Sequence, residues 1–130
     1  MRKIEAKMVE KVLAGENWQG GHLTVRTSSL ELSPDLLIGL VKQFPIVEIY
    51  SYSEKIGEYS PSENTLTLFP PNFRSATTKS HMNALLQGLG VPHSIRQVKG
   101  SWVVYYPVSG NSLSFDSNFI FGVKSLQSVH

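Results

Sequence analysis

Cysteine is absent from the 130 residues. Its absence removes disulfides, thiolate metal ligands and a cysteine nucleophile together, and it fits a reducing compartment. Long apolar runs are also missing: no stretch approaches the roughly 20 apolar residues that cross a bilayer. The opening MRKIEAKMVEKV is charged throughout and lacks the apolar stretch of a secretion signal. Together these absences predict a cytoplasmic protein with no membrane partner. Catalytic signatures are missing as well. No G-x-S-x-G elbow, phosphate-cradling glycine loop or H-E-x-x-H helix occurs. The four histidines His22, His81, His93 and His130 have no local metal-ligand spacing. Glu48, Glu54, Glu58 and Glu63 are spaced as on a solvated strand face. The sequence therefore predicts no catalytic residue, no metal, no cofactor and no enzyme.

One absence is regional. No Asp or Glu lies between Glu63 and Asp116, while Arg74, Lys79, Arg96 and Lys99 lie within that window. The window carries +4 and the rest of the chain −2, so a net charge of +2 conceals an asymmetry. Such a basic stretch suits an anionic partner.

Apolar residues make up 41% of the chain and charged residues 17%, enough for a core and too ordered a balance for global disorder. At this length one domain, residues 1–130, is expected. Ile4, Met8 and Val12 recur every four residues, which predicts a helix over 1–14 that stops at Gly15. Glu16–Gly21 reads as a loop holding Trp18, and the alternating His22–Thr27 as a strand. Ser33, Pro34 and Asp35 open a second helix over 33–44, closed by Pro45. Strands are expected over Ile46–Ser53, Lys55–Tyr59 and Thr65–Phe69. A third helix starts at Thr77 or Thr78 and buries Met82, Leu85, Leu86 and Leu89. The hairpin Ser94–Val98 and Trp102–Tyr106 follows, then a last strand at Ser112–Phe115 or Phe119–Val123. Residues 124–130 are expected to fray. The predicted fold class is α+β: a mostly antiparallel sheet with an N-terminal helix, a short inserted helix and a third helix packed on one face.

Three segments resemble a group of small bacteriophage proteins. The opening MRKIEAKMVEKVLAGENWQGGHLTV is similar to that group's start, in which a short helix runs through an Asn-Trp loop into a strand. Thr77-Thr78-Lys79-Ser80-His81-Met82-Asn83-Ala84-Leu85-Leu86 looks like its TTKSRLNALL helix start. The hairpin ending in Trp102 is similar to a strand that follows that helix. The chain departs from the pattern by an insertion over 32–45 and by His81 and Met82 in place of Arg and Leu. The resemblance implies a phage origin, a host-cytoplasmic location and a similar small α+β fold; it carries over no mechanism.

Two candidate nucleic-acid contacts arise from the residues themselves. Thr77 and Thr78 read first as helix caps and also, with Arg74, Lys79 and Ser80, as a phosphate cradle at a helix N-terminus; the two roles are compatible. Arg96, Lys99, Trp102 and Tyr105 pair cations with aromatic rings near a turn, which suits phosphate pairing and base stacking. Alternation along the strand sets Trp102, Val104 and Tyr106 on one face and Val103 and Tyr105 on the other, so one aromatic set belongs to the core. The alternative is a contact with a host protein, through Trp18 and through Leu37 and Ile38 on a second helix that is apolar on more than one side. Such a helix is shared within the core, with a host partner or with a second copy of the chain. The expected function is a phage-encoded, non-enzymatic accessory binding protein whose basic region 74–102 contacts nucleic acid, or alternatively an inhibitor or modulator of a host enzyme or defence system.

Overall fold

The computed structural model describes residues 1–28 and 46–123. The expected second helix over 33–44 therefore lies outside the described residues.

The first helix, α1 (Lys3–Ala14), buries Met8, Val9 and Val12, the stripe set by the four-residue recurrence. It ends at Gly15, whose left-handed backbone (φ 67°) lets its N–H return to the Val12 carbonyl. The segment expected to be a loop contains a short strand, β1 (Trp18–Gly20), which pairs with β2 (Leu23–Ser28). Next come β3 (Ile46–Ser51), β4 (Glu54–Ser60) and β5 (Thr65–Leu68), each antiparallel to its predecessor. Val47, Ile49 and Ser51 of β3 are buried and alternate with half-buried Ile46, Glu48 and Tyr50, as a strand with one face on the core requires. The β3–β4 turn is Tyr52-Ser53, both with positive φ (53° and 65°), a backbone twist that suits two-residue hairpins.

Pro70 and Pro71 end the meander, and α2 (Ala76–Gly88) follows. Its cap is Ser75, whose hydroxyl accepts from the Thr78 N–H at 3.1 Å. The helix thus starts ahead of the expected Thr77 or Thr78, and Thr78 is buried inside its first turn. Beyond it lie β6 (Ser94–Val98), β7 (Ser101–Tyr106), β8 (Asn111–Ser114) and β9 (Phe119–Gly122), so both of the alternative final strands exist.

The expected architecture of a sheet with three helices is corrected. Among the described residues there are two helices and nine strands, arranged in two antiparallel sheets. The larger has the order β1-β2-β3-β4-β5-β9 and the smaller β6-β7-β8. The physical reason is competition for one edge. The free edge of β5 is taken by β9, with Leu66 opposite Phe121, so β6 cannot extend the meander and its hairpin starts a separate sheet.

The core joins both sheets and both helices. Met8, Leu23, Ile49, Ile56, Leu66, Met82, Leu85, Ile95 and Phe115 belong to one buried cluster, with Trp18 and Tyr106 packed against it. α1 crosses α2 where Gly88 leaves room: a Cβ there would stand 2.4 Å from Val9 Cγ1. The amide of Asn83 ties α2 to β6, accepting from Ile95 N (2.7 Å) and donating to Ile95 O (3.0 Å). The smaller sheet is thereby fixed with one face inward and the other outward.

Candidate nucleic-acid interface

Cross-strand register decides which hairpin residues share a face. In the smaller sheet Ile95 pairs with Val104 and Gln97 with Trp102; Ile95, Val104 and Trp102 are buried on the inward face, Trp102 being 4% exposed, while Gln97 at the end of that face is exposed. The outward face is built in rows. Ser94, Tyr105 and Ser112 form one row, and Arg96, Val103 and Ser114 the next. Val98 and Ser101 close the β6–β7 hairpin at Lys99-Gly100, whose positive φ values (50° and 81°) make the tight turn and leave Lys99 exposed at its tip.

On that outward face the Arg96 guanidinium lies 3.7 Å from the centre of the Tyr105 ring. Arg96 Nε donates to Ser94 Oγ at 3.3 Å, which helps to orient the group. A planar cation on a ring face is favoured electrostatically by the ring quadrupole. Every other side chain in the two rows is Ser or Val, so the Arg96–Tyr105 pair has no larger neighbour in them. Two cations and no acid lie on this face and its turn among the described residues.

The remaining residues of the basic window are placed elsewhere. Arg74 is exposed, but its guanidinium is 5.7 Å from the Trp102 ring, and it donates to Pro71 O (3.2 Å) and Phe115 O (3.4 Å). It therefore sits at the inward side of the small sheet, away from Arg96. Lys79 lines a shallow depression of about 360 Å³ with Met1, Glu5 and Ser80. Thr77 is half-buried in the first turn of α2. Thr78 is 1% exposed, and its hydroxyl meets Ser75 Oγ (3.1 Å) and Ser51 Oγ (3.4 Å). Those contacts leave Thr78 a structural residue rather than an open phosphate ligand.

The first turn of α2 is instead part of a buried polar network. His81 Nδ1 meets Ser51 Oγ at 2.9 Å, and the Ser80 hydroxyl donates to Glu5 Oε2 at 2.6 Å. Glu5 also accepts from the Arg2 N–H (3.0 Å) and guanidinium (3.1 Å). Burial raises the Glu5 pKa, but the hydrogen bonds from Ser80 and Arg2 outweigh it and hold the carboxyl below its ordinary value. Burial lowers the His81 pKa; Glu5 opposes the shift, while Arg2 and His22 add to it. Ser51 and His81 are each 2% exposed, so the hydroxyl–imidazole pair has no open approach for a substrate. Its evident work is to join β3 to α2.

A second exposed cluster brings together residues far apart in the sequence. His22 stacks on Tyr52 with ring centres 4.1 Å apart, and Tyr52 meets Phe73 edge-on at 5.6 Å. Tyr52 is 38% and Phe73 58% exposed. Glu54 holds the Phe73 loop by accepting from Asn72 N (2.6 Å) and Phe73 N (3.1 Å). These rings come from three separated segments, and the only local signal was Tyr52 within a two-residue turn. Trp18, by contrast, is half-buried against the core, while Leu37 and Ile38 lie outside the described residues.

Of the strand glutamates, Glu48 and Glu58 are engaged by Lys55, Glu48 at 2.9 Å. Among the described residues no group of three His, Asp or Glu side chains is placed to hold a metal ion. Nor is any described helix long and apolar enough to cross a membrane.

No curated protein and no solved structure matches the chain. A family model does: that of the Kyanoviridae Gp96 protein matches residues 1–124, which includes both helices, both sheets and the outward Arg96–Tyr105 face. The chain is a bacteriophage protein and belongs to the Kyanoviridae Gp96 family.

Proposed function

We propose that this phage protein is a non-enzymatic accessory factor of the infected cytoplasm that contacts nucleic acid through the outward face of β6-β7-β8. The observation that carries the reading is the Arg96 guanidinium seated 3.7 Å over Tyr105 on an acid-free face. Lys99 supplies a second charge at the hairpin tip, and Ser94, Ser112 and Ser114 surround the pair with hydroxyls. Arg74, Thr77 and Lys79 stand off this face and serve at most as peripheral charge. Two cations imply modest, salt-sensitive binding. For a single strand the slope of log K against log salt is about −1.4, taking about −0.7 per neutralised phosphate. Binding of labelled DNA and RNA at 50 and 200 mM salt checks this. Arg96→Ala with Lys99→Ala is expected to abolish the salt-sensitive binding while the melting temperature holds. Binding that ignores salt, or survives the double substitution, defeats the proposal.

A second reading rests on the exposed His22–Tyr52–Phe73 cluster. Aromatic side chains in one patch are the usual anchors of protein interfaces, which favours a host-protein contact there. Retention of a defined host protein from nuclease-treated lysate, lost on Tyr52→Ser with Phe73→Ser, is the expected result. Equal retention by wild type and variant excludes the patch.

A further inference from the structure

We infer that the ligand of the outward face of the small sheet is an unpaired strand, with a base stacked on the Arg96–Tyr105 pair. This rests on the nucleic-acid reading above and adds the class of ligand. β6, β7 and β8 are short antiparallel strands whose outward rows carry Ser94, Ser112, Ser114 and Val103 around the one aromatic–cation pair. The other side chains of these rows are Ser and Val, so Arg96 and Tyr105 are the largest side chains in them. A duplex keeps its base faces stacked against one another and offers only phosphates and groove edges. An unpaired strand offers the base face itself, and stacking on a ring or guanidinium is how such strands are held without groove contacts.

The geometry is prepared for this. One side of the Arg96 plane is spent on Tyr105, at 3.7 Å, and Arg96 remains exposed to solvent, so the other side is open to a second planar partner. The Ser94 hydroxyl accepts from Arg96 Nε at 3.3 Å, which orients the plane before a base arrives. Lys99 lies one turn further along the hairpin, exposed, where a flanking phosphate of an extended strand falls. Serine hydroxyls on either side of Tyr105, at 94 and 112, donate or accept at base edges without selecting one base. The expected ligand is therefore single-stranded DNA or RNA, bound with little sequence preference.

The test uses the full chain with a 2-aminopurine-labelled single-stranded oligonucleotide, as DNA and as RNA, and with the matching duplex. The single strand is expected to bind at least about tenfold more tightly than the duplex, with a change in 2-aminopurine emission on stacking. Arg96→Lys keeps the charge and loses the plane. It should preserve the salt slope and the duplex affinity, while single-strand affinity drops about tenfold. Tyr105→Leu should act in the same way. Equal affinity for single strand and duplex, with both weakened by Arg96→Ala, overturns the inference and leaves the nucleic-acid surface standing. Full retention of single-strand affinity by Arg96→Lys and Tyr105→Leu also overturns it. No binding of either form at low salt removes both.

Discussion

Truncating Trp102 to alanine is expected to lower the unfolding free energy by about 3–5 kcal/mol and to leave the nucleic-acid affinity of the folded protein unchanged. Trp102 is 4% exposed on the inward face of β7, and its carbonyl accepts from Phe115 N at 3.0 Å. Its ring belongs to the main buried cluster, so truncation removes a large apolar area and opens a cavity. Arg74, which rides over the ring and donates to Phe115 O, loses its platform in the same step. Urea unfolding gives the stability, and titration of the remaining folded protein with an oligonucleotide gives the affinity. A loss below about 1 kcal/mol with weakened binding would make Trp102 a ligand contact and reverse the assignment of faces, since a core aromatic truncated to alanine costs several times that. The prediction separates Trp102 from Tyr105, two aromatics three residues apart that composition alone treats alike.

Glu5→Ala is the second large effect, at about 2–4 kcal/mol, counting about 1 kcal/mol per lost hydrogen bond and somewhat more for the charged ones. The carboxylate is 2% exposed and receives three hydrogen bonds, from Arg2 N, Arg2 Nη2 and Ser80 Oγ. Arg2 is half exposed and returns to water when Glu5 is lost, so most of the cost falls on the helix start and on Ser80. The same network sets the acid response. The folded His81 pKa lies below the ordinary 6.5, so the unfolded chain takes up that proton first. The stability linked to His81 is present in full above pH 6.5 and is lost as pH falls from there through the folded value. Glu5 behaves in the same sense one window lower: its contribution is present above 4.5 and lost as pH falls through its depressed value. Denaturation midpoints measured from pH 8 to 3 should fall in two steps. His81→Gln should remove the upper step and Glu5→Gln the lower. A single step below pH 4.5 in the wild type would show that His81 is not held neutral.

Much of the local structure was legible because it depends on neighbours in the chain. The spacing of Ile4, Met8 and Val12 and the stop at Gly15 belong to one helix, and α1 follows them. Alternation along Trp102–Tyr106 by itself separates two faces, and register sets Tyr105 outward beside Arg96. The start of α2 is not fixed locally, because Thr77 and Thr78 are good caps as well as Ser75. Ser75 prevails once Thr78 is drawn into the core beside Ser51, a residue distant in sequence. The exposed cluster of His22, Tyr52 and Phe73 left only the Tyr52 turn as a local signal, since it forms only where two turns and a loop meet.

The sequence by itself determined the elements that local periodicity and turn chemistry control, the absence of cysteine chemistry, and the acid-free window that holds Arg96 and Lys99. The tertiary structure alone decided that the window is not one surface. Strand pairing sends β9 to the edge of β5, and the hairpin of β6 and β7 is left to begin a second sheet. That choice turns Trp102 inward beneath Arg74 and Tyr105 outward beneath Arg96. The reason is physical: charge and composition are properties of the chain, but which charges share a face depends on long-range register, and pleating reverses direction at every residue.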